Sequence, residues 1–252
     1  MLIMGILNVT PDSFADGGRH NDFAAAVARG LEMIAEGVDI IDIGGESTRP
    51  GAERVSEAEE IERTIPVITE LAQHGVRISI DTMRASTAEA AIKAGAVIIN
   101  DVSGGLADPQ MLQTAARLQV PYIAMHWRGQ SKDMNSKAIY NDVVVDVISE
   151  LQERIDAALD AGIQHANLII DPGLGFAKDA QHNWEIIDSI DKFVAMGYPV
   201  LVGGSRKRFL GGDSPDEREQ ASIDLTKQLA TTGVWAVRVH SVKPHKEVLA
   251  NE

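Results

Sequence analysis

Three side chains define much of the chemistry this chain can offer: Asp81, Asn100 and Asp171, each directly after a short apolar run. Two carboxylates and an amide at the ends of buried strands suit a flat, nitrogen-rich heterocycle. Carboxylate oxygens accept from ring N–H and amino groups, while an amide donates and accepts. A metal-binding carboxylate pair, or caps on the following helices, would use the same residue types. A second feature is Val202-Gly203-Gly204-Ser205-Arg206-Lys207-Arg208, where an apolar run empties into two glycines and then three cations. Glycine lets backbone N–H groups approach an anion, and Lys207 would stand at the mouth as a mobile ammonium. A solvated basic turn ahead of a helix has the same composition. Third, Arg238 and His240 alternate along Val237-Arg238-Val239-His240 and so face one side of a strand. With Asn8 on a neighbouring strand they would form a cationic corner for a pyrophosphate, Asn8 lending an oxygen to Mg2+. The plainer role for His240 is a hydrogen-bonded core histidine.

The elements that must position these groups are legible as alternation. Eight apolar runs occur at Leu2–Leu7, Val38–Ile43, Val76–Ile80, Ala96–Ile99, Val120–Met125, Asn167–Ile170, Tyr198–Val202 and Trp235–Val239. Helix-like periods lie between them near 22–36, 56–74, 86–94, 109–118, 139–161, 180–196 and 217–232, with a tail helix from about 243. Ser56 with Glu59 three residues on has the pattern of a capping box. Strand and helix alternating eight times predicts an α/β fold of the (β/α)8 TIM-barrel type, a single domain over residues 1–252. Ligands of such barrels sit at the C-terminal ends of the strands. Those ends read Asn8, Glu46 to Arg49, Asp81, Asn100, His126, Asp171, Ser205 to Lys207, and Arg238 with His240. Every end offers a polar group. Two glycine-hinged polar loops, 12–19 and 44–51, have the character of lids, or of surface turns.

Composition narrows the partners. A net charge of −14 over 252 residues repels phosphate backbones and argues against nucleic acid and anionic membranes, so an anionic ligand must be caught by local cations. The 44% hydrophobic content with only 4% aromatic residues predicts a core of Ala, Val, Ile and Leu, which suits buried parallel strands. With no cysteine, disulfides and thiolate metal sites are excluded, and a reducing cytoplasm is compatible. The histidines show no metal-ligand spacing, no segment has the apolar length of a membrane helix, and the apolar start lacks the basic flank of a signal peptide.

Seven ordered stretches then carry a family resemblance. Gly5-Ile6-Leu7-Asn8-Val9-Thr10-Pro11-Asp12-Ser13-Phe14, Gly44-Gly45-Glu46-Ser47-Thr48-Arg49-Pro50-Gly51, Ile80-Asp81-Thr82, Asn100-Asp101-Val102-Ser103-Gly104-Gly105, Asp171-Pro172-Gly173-Leu174-Gly175-Phe176, Ser205-Arg206-Lys207 and Arg238-Val239-His240 resemble dihydropteroate synthase, in register from residue 3 to residue 242. The resemblance implies condensation of 6-hydroxymethyl-7,8-dihydropterin pyrophosphate with 4-aminobenzoate in folate biosynthesis, with Mg2+ on the leaving group. It implies a cytoplasmic homodimer and a sulfonamide target. By position, Asp81, Asn100, Asp171 and Lys207 would hold the pterin, with Met125, Gly203 and Phe176 lining its slot. Asn8, Arg238 and His240 would hold Mg2+ and pyrophosphate. Thr48, Pro50, Phe176, Ser205 and Lys207 would surround 4-aminobenzoate, and Asp16 and Arg49 would come from the loops. Asp81, Asp171 and Lys207 would be the catalytic groups, leaving Arg206 and Arg208 as helix and surface residues.

One departure stands out, since the family follows Arg-Val-His with Asp and this chain has Ser241. A structural role is expected there. Two other classes share the pterin pocket: a pterin-dependent methyltransferase and a divergent, non-catalytic relative. The Ser205-Arg206-Lys207 end and the Arg238 corner favour pyrophosphate release over methyl transfer.

Overall fold

The computed structural model describes residues 1–10, 19–46, 55–129 and 134–250. Strands β1 (Leu2–Asn8), β2 (Ile40–Gly44), β3 (Arg77–Asp81), β4 (Ile98–Asp101), β5 (Tyr122–Met125), β6 (Leu168–Asp171), β7 (Leu201–Val202) and β8 (Ala236–Val239) alternate with helices. These are α1 (Arg19–Ala35), α2 (Glu57–Ala72), α3 (Ala85–Ala94), α4 (Met111–Leu118), α5 (Val143–Asp160), α6 (Ala180–Asp188), α7 (Ile190–Val194), α8 (Glu219–Leu229) and α9 (Lys243–Ala250). The strands form one parallel sheet in the order β6-β5-β4-β3-β2-β1-β8-β7. A single bridge between Ile170 and Val200 joins its two ends. That seam is thin because Pro199, just ahead of β7, has no N–H to give. Its carbonyl still accepts from Ile170 N at 3.0 Å. The fold is thus the expected (β/α)8 barrel.

Strand periodicity places the site. Met4, Ile40, Ile98, Ile123, Ile169, Leu201 and Ala236, from seven different strands, pack as one buried apolar cluster across the barrel axis. Alternate residues point the same way, so the positions two further along face the same interior. They are Ile6, Asp42, Asn100, Met125, Asp171, Gly203 and Arg238. On β3 the register pairs Ser79 with Ile98 and Asp81 with Asn100, which puts Asp81 in the same upper layer. The intervening residues, such as Ile41, Ile43, Ile80, Ile99, Ile170 and Val202, join the larger cluster between sheet and helices. Each fully buried Ile contributes about 1.5–3 kcal/mol, so an apolar plug supports a polar layer at the C-terminal mouth.

Local differences from the sequence reading have local causes. The expected helix 180–196 is divided at Ser189, which ends α6 and begins α7 with φ −112° and ψ 22°. Ser56 caps α2 by accepting from Glu59 N at 3.3 Å, but the Glu59 carboxylate pairs with Arg63 at 2.5 Å instead of closing a capping box. Asp81 and Asp171 cap nothing: the residues at the starts of α3 and α6 are Arg84 and Asp179.

Candidate active site

Arg238 is the centre of the polar layer. Its Nε donates to Asp42 Oδ2 at 2.6 Å and its Nη2 to Asp81 Oδ2 at 2.7 Å. Asn100 Nδ2 donates to the same Asp42 oxygen at 3.0 Å. Four strands, β2, β3, β4 and β8, are thereby joined through one guanidinium and one shared carboxylate. Burial works to lower the Arg238 pKa, but Asp42 and Asp81 more than offset it and hold the proton. Asp81 is 7% exposed, and burial raises its pKa to about 7, with Arg238 opposing and Asp42 adding to the rise.

The other half of the mouth comes from β6 and the segment after β7. Asp171, also buried, accepts from Gly173 N at 2.7 Å through Oδ1. Its pKa is raised by burial, against the pull of that N–H and of Lys207 and Lys178. Gly173 has φ +68°, and a Cβ there would lie 2.5 Å from the His126 carbonyl oxygen, so only glycine permits this turn to press against the end of β5. Lys207 Nζ donates to the Leu174 carbonyl and lies 4.5 Å from the centre of the Phe176 ring. Burial lowers its pKa to about 8, although Asp171 supports the charge. Gly203 faces the space these groups enclose. A Cβ on it would be 3.8 Å from Asp171 Oδ2, 3.9 Å from Arg238 Cβ and 4.0 Å from Lys207 Nζ.

Ser205 and His240 meet at the rim, with Ser205 Oγ 3.1 Å from His240 Nδ1 and accepting from His240 N at 3.3 Å. Arg238 and His240 do lie on one face of the chain. Arg238 nevertheless turns to the carboxylates below, and His240 turns to Ser205. Asn8 ends β1 beside Gly44, half-buried, with an amide oxygen to offer. Among the described residues no group of three or more His, Cys, Asp or Glu could hold a metal ion. Asn8 offers one hard oxygen donor, and a cation such as Mg2+ that takes one protein oxygen fills the rest of its shell from phosphates and water. Asp16, Thr48, Arg49 and Pro50 lie outside the described residues. Arg84 ties both ends of the segment 47–54: its guanidinium donates to Glu46 at 2.9 Å and to the Val55 carbonyl at 2.6 Å.

Several participants were not evident as site residues. Asp42 is fully buried, and its signal was legible in principle: a carboxylate inside an otherwise apolar strand must have a partner. Lys178 had no such signal, because lysine is usually exposed. It is buried, and its Nζ donates to Gly173 O at 3.0 Å and Phe176 O at 3.1 Å and sits 2.9 Å from His126 Nδ1. His126, one of the strand-end residues of the expected mouth, is 1% exposed, and its Nε2 lies 2.9 Å from Glu150. Neutral imidazole fits both contacts, Nε2–H donating to Glu150 and Nδ1 accepting from Lys178. Burial lowers the His126 pKa to about 4, and the Lys178 charge adds to this. Ser241 takes the expected structural role by donating to Glu219, which also pairs with Arg206 at 2.6 Å. Arg206 is therefore not a helix residue. It occupies a left-handed turn with φ +58°, held by Ser222 and Glu219 from α8. Arg208 begins the short 3-10 turn Arg208–Leu210.

Residues 4–240 match the family of pterin binding enzymes. Along 98% of its length the chain is 48% identical to dihydropteroate synthase of Mycobacterium leprae, covering 90% of that protein. The chain belongs to the dihydropteroate synthase family. Solved structures agree with this. A dihydropteroate synthase from Xanthomonas albilineans with 4-aminobenzoic acid superposes with a TM-score of 0.93 at 43% identity, covering 99% of this chain and 91% of that one. The same organism's enzyme in complex with 7,8-dihydropteroate gives 0.89 at 40% identity, with the same coverage of both chains. Dihydropteroate synthases are transferases of folate biosynthesis.

Proposed function

We propose that this chain joins 6-hydroxymethyl-7,8-dihydropterin pyrophosphate to 4-aminobenzoate, forming 7,8-dihydropteroate and pyrophosphate in a reaction that depends on Mg2+. The observation that carries this reading is the convergence of Asp81, Asn100 and Asp171 on one interior layer, with Arg238 and Lys207 between and above them. Such a layer matches the donor and acceptor edges of a pterin ring. Asp81, Asn100, Asp171 and Lys207 hold the ring, and Met125, Gly203 and Phe176 line its slot. Ser205, Phe176 and Lys207 face 4-aminobenzoate together with Thr48 and Pro50, while Arg49 and Asp16 belong to the flanking loops.

In the reaction the methylene C–O bond to pyrophosphate breaks, and the amino nitrogen of 4-aminobenzoate forms the new C–N bond and gives up one proton. Loss of pyrophosphate leaves positive charge on the pterin methylene. The buried carboxylates of Asp81 and Asp171 stabilise that charge, because water is excluded and they need not reorient. The aromatic amine is neutral at pH 7 and needs no strong base. Arg238 and His240 receive the pyrophosphate. When bound, Mg2+ would offset the charge growing on the leaving oxygen, held by Asn8 and by pyrophosphate itself. The reading extends to a cytoplasmic homodimer.

The test incubates the protein with both substrates and Mg2+ and follows pyrophosphate and dihydropteroate together, with a sulfonamide competing against 4-aminobenzoate as control. Equimolar formation of both products is expected. Pyrophosphate without dihydropteroate, or neither, would sink the assignment. Light scattering at micromolar concentration tests the dimer, for which a mass of one chain is the contrary result.

A further inference from the structure

Asp42 has no assigned role, yet it bonds to two residues of the site, Asn100 and Arg238. It sits in the middle of β2 with 0% exposure, and one of its oxygens, Oδ2, accepts from both Asn100 and Arg238. The other, Oδ1, is buried with no hydrogen-bond partner. Ser79, its register partner on β3, likewise has a buried hydroxyl without a partner. An orphaned oxygen on a buried carboxylate costs stability that an apolar residue of the same size would avoid. A carboxylate kept at that cost, bonded to two residues of the polar layer, calls for a role in that layer.

The geometry supplies one. Arg238 is shared between two carboxylates, and they differ in access: Asp81 is the last residue of β3 and 7% exposed, while Asp42 lies two residues before the end of β2 and is fully buried. A pterin that engages Asp81 takes the acceptor that Arg238 Nη2 now uses. Without a second anchor the guanidinium would follow Asp81 and lose the position from which it receives the pyrophosphate. We propose that Asp42 is a positioning residue for the reaction, holding Arg238 by its Nε while Asp81 exchanges Arg238 for the substrate. Asn100 is fixed by the same oxygen, so its amide presents a set orientation to the ring. Asp42 itself touches no substrate. This inference rests on the pterin reading given above.

The test is Asp42→Asn, which keeps size and removes charge, assayed beside the wild type. The KM for pterin pyrophosphate is expected to rise at least tenfold, with the KM for 4-aminobenzoate within twofold. A merely structural role would lower the folded fraction and hence the maximal rate, leaving both KM values unchanged, and that outcome overturns the proposal. The second arm places Asp42→Asn on an Arg238→Gln background, in which Asp42 has lost the arginine it would position, and the melting temperature of every variant is measured beside its kinetics so that a fold defect is read separately. There the added effect on the pterin KM is expected to shrink below threefold, since Asp42 acts through an arginine that is no longer present. A full tenfold effect on that background overturns it. An inactive wild type would instead refute the reaction itself, so the two failures are distinguishable.

Discussion

Replacing Asp171 by Asn removes a charge without removing a shape, and the structure allows the consequence to be worked out. The carboxylate is 5% exposed, and its Oδ1 accepts from Gly173 N at 2.7 Å, a bond the Asn carbonyl oxygen can keep. Oδ2 faces the space beside Gly203, where a Cβ would be 3.8 Å away. Charge on the pterin methylene develops only as pyrophosphate leaves, so the lost interaction belongs to the transition state and not to the bound substrate. At a separation of about 4 Å and an effective dielectric of about 20, a unit charge pair is worth about 4 kcal/mol. Partial charge development brings this to roughly 3 kcal/mol, so kcat is expected to fall by about 10²- to 10³-fold. The assay is steady-state pyrophosphate release with each substrate varied in turn. The KM for 4-aminobenzoate is expected to change less than twofold, because Asp171 serves the pterin side. Asp171 also supports the Lys207 ammonium, whose pKa is about 8. A loss acting through Lys207 would deepen as the pH rises through that value, whereas loss of the Asp171 charge leaves a constant ratio. A variant with kcat within fivefold of wild type and unaltered pterin affinity would refute the electrostatic role.

Three further outcomes follow from the same geometry. Gly203→Ala meets only ordinary contacts at 3.8–4.0 Å, so its melting temperature should stay within a few degrees. The methyl nevertheless enters the space between Asp171, Lys207 and Arg238, and a rise of at least tenfold in pterin Kd by calorimetry is expected; unaltered binding would remove Gly203 from the slot. Burial raises Asp81 to about 7, so its carboxylate is lost as pH falls below that value, and kcat/KM for pterin pyrophosphate should decline on the acid side of 7. A flat profile from pH 8 to 6 contradicts a need for the ionised form. Folding should also weaken in acid through His126, held neutral with its pKa lowered from 6.5 to about 4 by burial and then Lys178. Between those values the unfolded chain binds more protons, so stability is present above 6.5 and is lost as pH falls towards 4, by up to roughly 3 kcal/mol. Urea unfolding of wild type and His126→Asn at pH 7 and 5 measures this, and an identical pH effect in both proteins excludes His126 as the source.

The fold was legible because every strand of a parallel barrel is buried on both faces, which forces an apolar run, and every connection is a helix, which imposes a different period. Asp81, Asn100 and Asp171 were legible for the same reason, as polar residues where apolar runs stop. Arg206 was misread as a helix residue, since sequence gives no warning that Glu219 and Ser222, from a helix more than ten residues away, would hold it in a left-handed turn. Lys178 was missed because its three acceptors, two backbone carbonyls and a histidine nitrogen, converge only when the chain after β6 folds back onto the end of β5.

By itself the sequence determined the barrel, the strand ends that form its mouth, and the residue types available there, because these depend on periodicity and chain order. The tertiary structure alone decided which charges pair. Arg238 and His240 are two residues apart on one strand, yet Arg238 binds Asp42 and Asp81 inside the barrel while His240 binds Ser205 at its rim. Strand order and register set those distances, and hydrogen bonding falls off over less than an ångström, so alternation along one strand says which side a residue faces but not whom it meets.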